Sequence, residues 1–189
     1  ANLLHEYLNT SKSIKEQYAS YELWNPITLF DKDYPESLSK IPDSPLCLYW
    51  KGNPSLLNSF KISVIGSRYP SQYAQSKVNL FLKPLVKLNV TIVSGLAYGI
   101  DSMAHKYALT HNGPTIAVLG FGFNHIYPKE HINFFQQISR DGLLLSEYPP
   151  NVRPQRWHFP ERNRIISGLS SATLIIEAAE RSGTMITAD

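Results

Sequence analysis

Cysteine is almost absent from this chain, and so are the features that indicate a membrane or zinc protein. The single cysteine, Cys47, excludes an internal disulfide framework and fits a reducing cytoplasm. With one cysteine and scattered histidines, no zinc-ligand spacing is present. The longest nearly apolar run, residues 115–123, is far shorter than the ~20 residues of a membrane span. The N-terminal residues lack the pattern of a signal peptide, and we expect a cytoplasmic protein.

The net positive charge of the chain is small, but arginines are concentrated in one segment. The 189 residues carry a net charge of +3, which by itself says little about nucleic acid. Four of the seven arginines, however, lie between residues 153 and 164, where Glu161 is the single acid. Because a localised basic patch attracts phosphate more strongly than dispersed charge, this segment is a candidate anion-binding site.

Short apolar runs alternate with helical patterns through most of the chain. Predicted strands cover residues 62–65, 90–93, 115–119, 143–145 and 173–176, and predicted helices cover residues 71–88, 100–111, 130–140 and 162–169. The strands are too hydrophobic to have one wet face, which is typical of a parallel sheet covered on both sides. We predict an α/β fold, a Rossmann-like doubly wound, mostly parallel sheet with helices on both faces, over residues 31–189. Residues 1–30 are predicted to be a helical or irregular extension, and the proline-rich residues 31–52 an irregular strap.

The loops at the carboxyl ends of these strands are the predicted binding region, because ligands of doubly wound sheets lie there. The loop after the second strand is rich in small residues and leads into a helix, so its backbone N–H groups are able to approach an anion. The sequence lacks Gly-x-Gly-x-x-Gly after the first strand and lacks a P-loop, which argues against a dinucleotide or an ATP-hydrolysing site. The candidates to line the pocket are Gly66, Ser67, Arg68, Ser94, Gly95 and Gly99. Ser182, Gly183 and Thr184 are a further anion cradle or an ordinary N-cap.

Two titratable side chains near these loops, Asp101 and His105, are expected to have structural roles and not to act on a ligand. Asp101 is expected to cap the helix or fix the loop rather than contact a ligand. His105, one turn later, is expected to be a packed or loop-bonding histidine rather than a catalyst.

The basic segment interleaves arginines with Trp157 and Phe159. Arginine pairs with phosphate through its planar fork, and aromatic rings stack on unpaired bases, each for roughly 1–3 kcal/mol. The alternative is that both rings anchor the loop to the core. Arg164 also has a structural alternative, which is pairing with Glu147 or Glu177.

Taken together and in this order, the loop motifs resemble the DNA-processing protein A (DprA/Smf) family over roughly residues 31–189. The matching motifs are Gly66-Ser67-Arg68, residues 94–101 with His105, residues 117–120, Tyr127-Pro128, residues 146–149, residues 159–170, Glu177-Ala178, Ser182-Gly183-Thr184, and upstream residues 33–35 and 49–52.

The resemblance implies a bacterial protein that binds single-stranded DNA during natural transformation (competence) and DNA recombination. Such a protein protects the incoming strand, helps to load the RecA recombinase, commonly dimerises, and has no catalytic reaction or cofactor. The family pattern continues past Asp189 into further strands and a second small domain. By motif match, the expected DNA contacts are Arg68, Arg156, Trp157, Phe159, Arg162, Asn163 and Arg164.

Two other function classes remain open at this point. An enzyme acting on nucleotide monophosphates would use Glu177 as acid or nucleophile, although no second carboxylate or nucleophile–base pair accompanies it. A protein-interaction scaffold would leave the basic, aromatic segment unexplained.

Overall fold

A computed structural model describes residues 26–178, and the predictions for residues 1–25 and 179–189 lie outside this range. The strands are β1 (Ile27–Thr28), β2 (Cys47–Gly52), β3 (Lys61–Gly66), β4 (Thr91–Ser94), β5 (Thr115–Leu119), β6 (Leu143–Ser146) and β7 (Ala172–Ile176). The helices are α1 (Glu36–Ser39), α2 (Gln72–Lys87), α3 (Ile100–Thr110), α4 (Ile132–Asp141) and α5 (His158–Gly168), with 3₁₀ turns at Pro54–Asn58 and Lys129–His131. Within the described residues, no helix is both long and apolar enough to span a bilayer.

The strands form one sheet in the order β1-β2-β6-β5-β4-β3-β7. The pairs β6–β5, β5–β4, β4–β3 and β3–β7 are parallel, whereas β2 runs antiparallel to β6 and to β1. The chain moves from β3 towards β6 and then returns to place β7 on the other side of β3. The strand order therefore reverses between β3 and β7, and the predicted Rossmann-like, mostly parallel α/β fold is confirmed.

The central strands are covered on both faces, as their uninterrupted hydrophobicity predicts. Neighbouring residues such as Ile92 and Val93 are both fully buried but belong to different core clusters. One face packs against α5 and α1, and the other packs against α2, α3 and α4. This two-sided burial makes the faces of the central strands inaccessible to ligands, whereas the strand ends and their loops stay accessible.

Helix α2 illustrates how local sequence determines an element. It begins after Ser71, whose hydroxyl accepts a hydrogen bond from Ala74 N at 3.1 Å. Ala74, Val78 and Leu82 then recur every four residues and are buried against the sheet. The bounds differ from the predicted 71–88 by one residue at each end.

Three predictions of local structure differ from the structure. The strap at residues 31–52 contains a helical turn and strand β2, whose Leu48 is fully buried in the core. The surrounding prolines obscured this strand, and Ile27–Thr28 also joins the sheet although residues 1–30 were predicted to be an extension. Helix α5 begins at His158 rather than 162, since Pro160 in the first turn has no helical hydrogen bond to lose.

Candidate nucleic-acid interface

The loops after β3, β4, β5 and β6 contact one another in that order and form a continuous carboxyl rim. Ile100 N donates to Ser67 O at 3.1 Å, which joins the first two loops. His131 Nδ1 lies 3.0 Å from Leu96 O and joins the β4 loop to the segment after β5. Gly122 N donates to Val152 O at 2.9 Å and joins the β5 and β6 loops. Hydrogen bonds between neighbouring loops therefore hold the rim together.

The β3 loop places a cation at the point where the strand order reverses. Ser67 N donates to Glu177 O at 2.7 Å, and Ser71 N donates to the Glu177 carboxylate at 2.8 Å, so that the ends of β3 and β7 are tied together. Gly66, the last residue of β3, pairs with Ile176 of β7 one residue before this contact. The side chain of Arg68 is exposed and forms no ion pair within residues 26–178.

The β4 loop depends on glycine at two positions. Gly99 has φ of +74°, and a Cβ there would collide with the backbone of Ser67 and Arg68. A Cβ at Gly95 would collide with the guanidinium of Arg162. Ser94 is buried and donates to Val64 O at 2.7 Å. These residues shape the rim through internal contacts, and their role in a ligand pocket stays a prediction.

Arg162 lies inside the protein and not on its surface. Its side chain reaches from α5 to the ends of β4 and β5, where it donates to Gly95 O at 2.7 Å and to Val118 O. Its Nε donates to Asn163 Oδ1 at 3.3 Å, and the residue is only 4% exposed. Burial lowers the pKa of Arg162 to about 10, while the Asp101 carboxylate acts in the opposite direction. The expected direct DNA contact by Arg162 is thereby corrected, because the side chain is buried and donates to Gly95 O, Val118 O and Asn163 Oδ1.

Asp101 and His105 complete this buried group. Asp101 accepts a hydrogen bond from Gly95 N at 3.1 Å, which supports the loop-fixing role expected from the sequence. Burial raises the pKa of Asp101, an effect opposed by the charge of Arg162 and by backbone N–H groups.

His105 is fully buried and lies 2.7 Å from Thr115 Oγ1, as expected for a packed histidine. Because the Thr115 hydroxyl donates to Ile92 O, Nδ1 of His105 carries the proton and donates to Thr115. Its Nε2 has no partner among the described residues. Burial, followed by the positive charges of Arg162 and His131, lowers the pKa of His105 to about 3.

The remaining residues of the basic segment divide into an inner and an outer set. Arg164 pairs with Glu147 at 2.6 Å and with Asp43 at 2.9 Å, so the structural alternative holds for this residue. Phe159 is half-buried against the core and 5.3 Å from the Tyr127 ring, which favours anchoring. Trp157, by contrast, is 59% exposed.

The outer set is positively charged. Arg153, Arg156 and Lys129 are exposed, as Arg68 is, and none is ion-paired within residues 26–178. Ser182, Gly183 and Thr184 lie outside the described residues, and their predicted role stays a prediction. Residues 26–178 contain no cluster of carboxylate, histidine or cysteine side chains that could hold a metal ion.

Three exposed tyrosines on the rim were not among the residues expected to bind DNA. Tyr69 follows β3, Tyr98 lies in the β4 loop, and Tyr127 lies in the β5 loop. Single tyrosines in loops carry no sequence signal, and only the assembled rim brings them to one edge of the sheet.

The fold and the rim define a Rossmann-like α/β protein whose strand-end loops present exposed rings and cations that no carboxylate of the described residues pairs with. Comparison with known families places it more narrowly. The chain belongs to the DNA recombination-mediator protein A family, whose model matches residues 25–189.

Relatives and solved structures agree with this placement. DNA processing protein DprA of Bacillus subtilis is 44% identical over 87% of this chain and 56% of its own length. The X-ray structure of DNA processing protein A from Streptococcus pneumoniae has a TM-score of 0.86 at 41% identity, covering 92% of this chain and 61% of that one. A structure of DNA processing protein A from Helicobacter pylori, which concerns its single-stranded DNA binding mode, has a TM-score of 0.79 at 32% identity, covering 87% of this chain and 75% of that one. The chain thus spans about half the length of curated relatives such as the B. subtilis protein.

Replacing Arg162 with methionine is expected to lower the free energy of unfolding by about 3–5 kcal/mol. The variant removes the donor to two buried carbonyls and the positive charge that stabilises the buried Asp101 carboxylate, and leaving a buried charge uncompensated costs about this much. Urea denaturation followed by circular dichroism measures the change. Arg153→Met, at an exposed position nearby, is the matched control and should stay within about 0.5 kcal/mol. Equal stability of the two variants would contradict the internal role of Arg162.

Stability should also depend on the protonation of His105. The unfolded imidazole takes up a proton below pH ~6.5, whereas the folded one does so only near pH 3. The unfolded state therefore binds more protons in this window, and stability falls as pH falls, by up to about 1.4 kcal/mol per pH unit from this group. His105→Gln should flatten the dependence measured by denaturation between pH 7 and 5, and the exposed His111→Gln should not. Parallel curves for His105→Gln and the unsubstituted chain would rule out this assignment.

Proposed function

We propose that this chain binds single-stranded DNA across its carboxyl rim and acts in DNA processing during natural transformation and recombination. The observation that carries the proposal is a set of exposed cations that have no ion-pair partner among residues 26–178, beside exposed aromatic rings; the cations are Arg68, Lys129, Arg153 and Arg156. Unpaired cations release counterions from a phosphate backbone without first breaking an internal pair. The carboxylates near them are engaged: Glu147 with Arg164 and Glu161 with the Tyr148 hydroxyl at 3.0 Å.

A single strand fits this rim better than a duplex does. Trp157 presents a ring that is 59% exposed, and a ring offers stacking only to bases that are not already stacked in a helix. The H. pylori relative, whose structure concerns single-stranded DNA binding, supports the same choice of ligand. The family description, a mediator of DNA recombination, supports the proposed process.

The proposed cellular role has further parts that rest on the family. These are protection of the incoming strand, loading of RecA, dimerisation and a cytoplasmic location. We also retain Ser182, Gly183, Thr184 and Asn163 as proposed contributors to the binding site, Asn163 through its contact with Arg162. Arg162 and Arg164 are assigned to the framework of the site.

Removing one rim cation should weaken binding and reduce its salt dependence. Arg68→Gln and Arg156→Gln are each expected to lower the affinity for fluorescent oligo-dT and to reduce the slope of log K against log salt by about 0.7. Fluorescence anisotropy over a salt series measures both quantities.

Arg140→Gln is the control for the same loss of charge. Arg140 is the next-to-last residue of α4, just before β6 begins and so at the opposite end of the strands from the rim, where it pairs with Asp141. It should leave affinity and slope unchanged. If Arg68→Gln and Arg156→Gln both behave like Arg140→Gln, these arginines are not in the binding site.

We further propose that the chain acts by binding and not by catalysis. The Glu177 carboxylate, the candidate for nucleotide chemistry, accepts a hydrogen bond from Ser71 N and serves to tie β7 to the β3 loop. Incubation with ribonucleoside monophosphates should therefore release no free base, as measured by chromatography. Base release by the unsubstituted chain that Glu177→Gln abolishes would establish an enzyme instead.

A further inference from the structure

Each of four consecutive rim loops carries one exposed aromatic ring. Tyr69 follows β3 and is 88% exposed, and Tyr98 follows β4 and is 37% exposed. Tyr127 follows β5 and is 48% exposed, and Trp157 lies between β6 and α5 and is 59% exposed. An exposed ring is unremarkable singly, but four on successive loops at one edge of a sheet form a pattern.

The order of these rings along the rim follows from the sheet. Strands β3, β4, β5 and β6 are neighbours in that order, each about 4.8 Å from the next. Tyr98 donates from its hydroxyl to Glu130 at 2.7 Å, and so joins the β4 loop to the segment that follows Tyr127. On its other side, the β4 loop is joined to the loop that carries Tyr69 by the hydrogen bond from Ile100 N to Ser67 O. The three tyrosines therefore lie near one another.

Two of the rings are held in place by the protein itself. Tyr98 meets the His131 ring edge-on with centroids 5.1 Å apart, and His131 is anchored to Leu96 O. Tyr127 lies against Phe159, which is half-buried in the core. Because little side-chain freedom remains to be lost, such rings bind a flat ligand at a lower entropic cost than mobile ones.

Cations flank the rings at both ends of the row. Arg68 neighbours Tyr69 at the β3 end, and Arg153 and Arg156 precede Trp157 at the β6 end. Lys129 lies between them, two residues after Tyr127. Among residues 26–178 no carboxylate is ion-paired with these cations, so the row combines flat apolar surfaces with positive charge at intervals.

We propose that Tyr69, Tyr98, Tyr127 and Trp157 form a track on which successive bases of one DNA strand stack. The strand crosses the rim from β3 to β6, perpendicular to the β-strands, with its phosphates towards the flanking cations. This inference rests on the proposed function and specifies its ligand further, since the track recognises bases that are unpaired and requires no particular sequence.

The track makes a prediction that phosphate contacts alone do not make. Replacing a tyrosine with leucine should weaken binding of oligo-dT at least about five-fold, the lower end of the effect of losing one stacked base. The salt slope should not change, because no phosphate contact is lost. Binding of an abasic oligonucleotide of the same length should also be unchanged, because it has no bases to stack.

The experiment compares Tyr98→Leu and Tyr127→Leu with Tyr98→Phe and Tyr127→Phe by fluorescence anisotropy, using oligo-dT and the abasic strand. The phenylalanine variants keep the ring and remove only the hydroxyl, and should bind within about two-fold of the unsubstituted chain. Tyr69→Leu is the third variant, because a side chain that is 88% exposed contributes least to folding.

The outcomes separate this inference from the proposed function. If oligo-dT binds and all three leucine variants bind it as the unsubstituted chain does, the track is wrong and the proposed function stands. If the leucine variants weaken binding of the abasic strand and of oligo-dT equally, the rings act through the structure of the rim and the track is wrong. If the phenylalanine variants bind as weakly as the leucine variants, the hydroxyl and not the ring is responsible, and the track is again wrong. If the unsubstituted chain binds neither strand at low salt, the proposed function itself fails.

Discussion

The buried guanidinium of Arg162 is the interaction on which the shape of the carboxyl rim depends. It crosses from α5, on one face of the sheet, to the ends of β4 and β5, where it meets Gly95 O and Val118 O. A charged side chain is costly to bury unless its donors are satisfied, and here backbone carbonyls and the nearby Asp101 carboxylate meet that requirement. Glycine at position 95 leaves room for this side chain, because any larger residue would occupy the space of the guanidinium.

The arginines near the rim therefore have two different roles. Arg162 and Arg164 face inwards, to carbonyls and to Glu147 and Asp43, and stabilise the loops. Arg68, Arg153 and Arg156 face solvent without carboxylate partners among the described residues. The number of arginines in the basic segment therefore overstates the positive charge that is available to phosphate, because two of the four already have partners inside the protein.

A structural feature can be predicted from the sequence when the residues that form it are close together along the chain, and is missed when they are far apart. Strand β5 matched its predicted bounds, 115–119, since an uninterrupted apolar run is a local signal for a strand buried on both faces. Strand β2 was missed because its partner, β6, lies almost a hundred residues away and the prolines around it indicate loops. The inward direction of Arg162 was missed for the same reason: its acceptors, Gly95 O and Val118 O, become neighbours only when the sheet assembles. The pairing of Arg164 with Glu147 was foreseen as an alternative, since both residues follow β6.

A rim preformed in this way determines how binding energy is distributed. The loops are joined by backbone hydrogen bonds, such as Ile100 N to Ser67 O and Gly122 N to Val152 O, before any ligand is present. In the proposed complex with single-stranded DNA, binding requires little ordering of the protein, and the favourable terms are phosphate attraction and stacking. The first term falls steeply with salt and the second does not, because stacking releases no counterions. A rim with exposed cations alone would lose nearly all of its affinity as ionic strength rises. Rings placed between those cations retain a part of it, and that part is available only to a strand whose bases are unpaired.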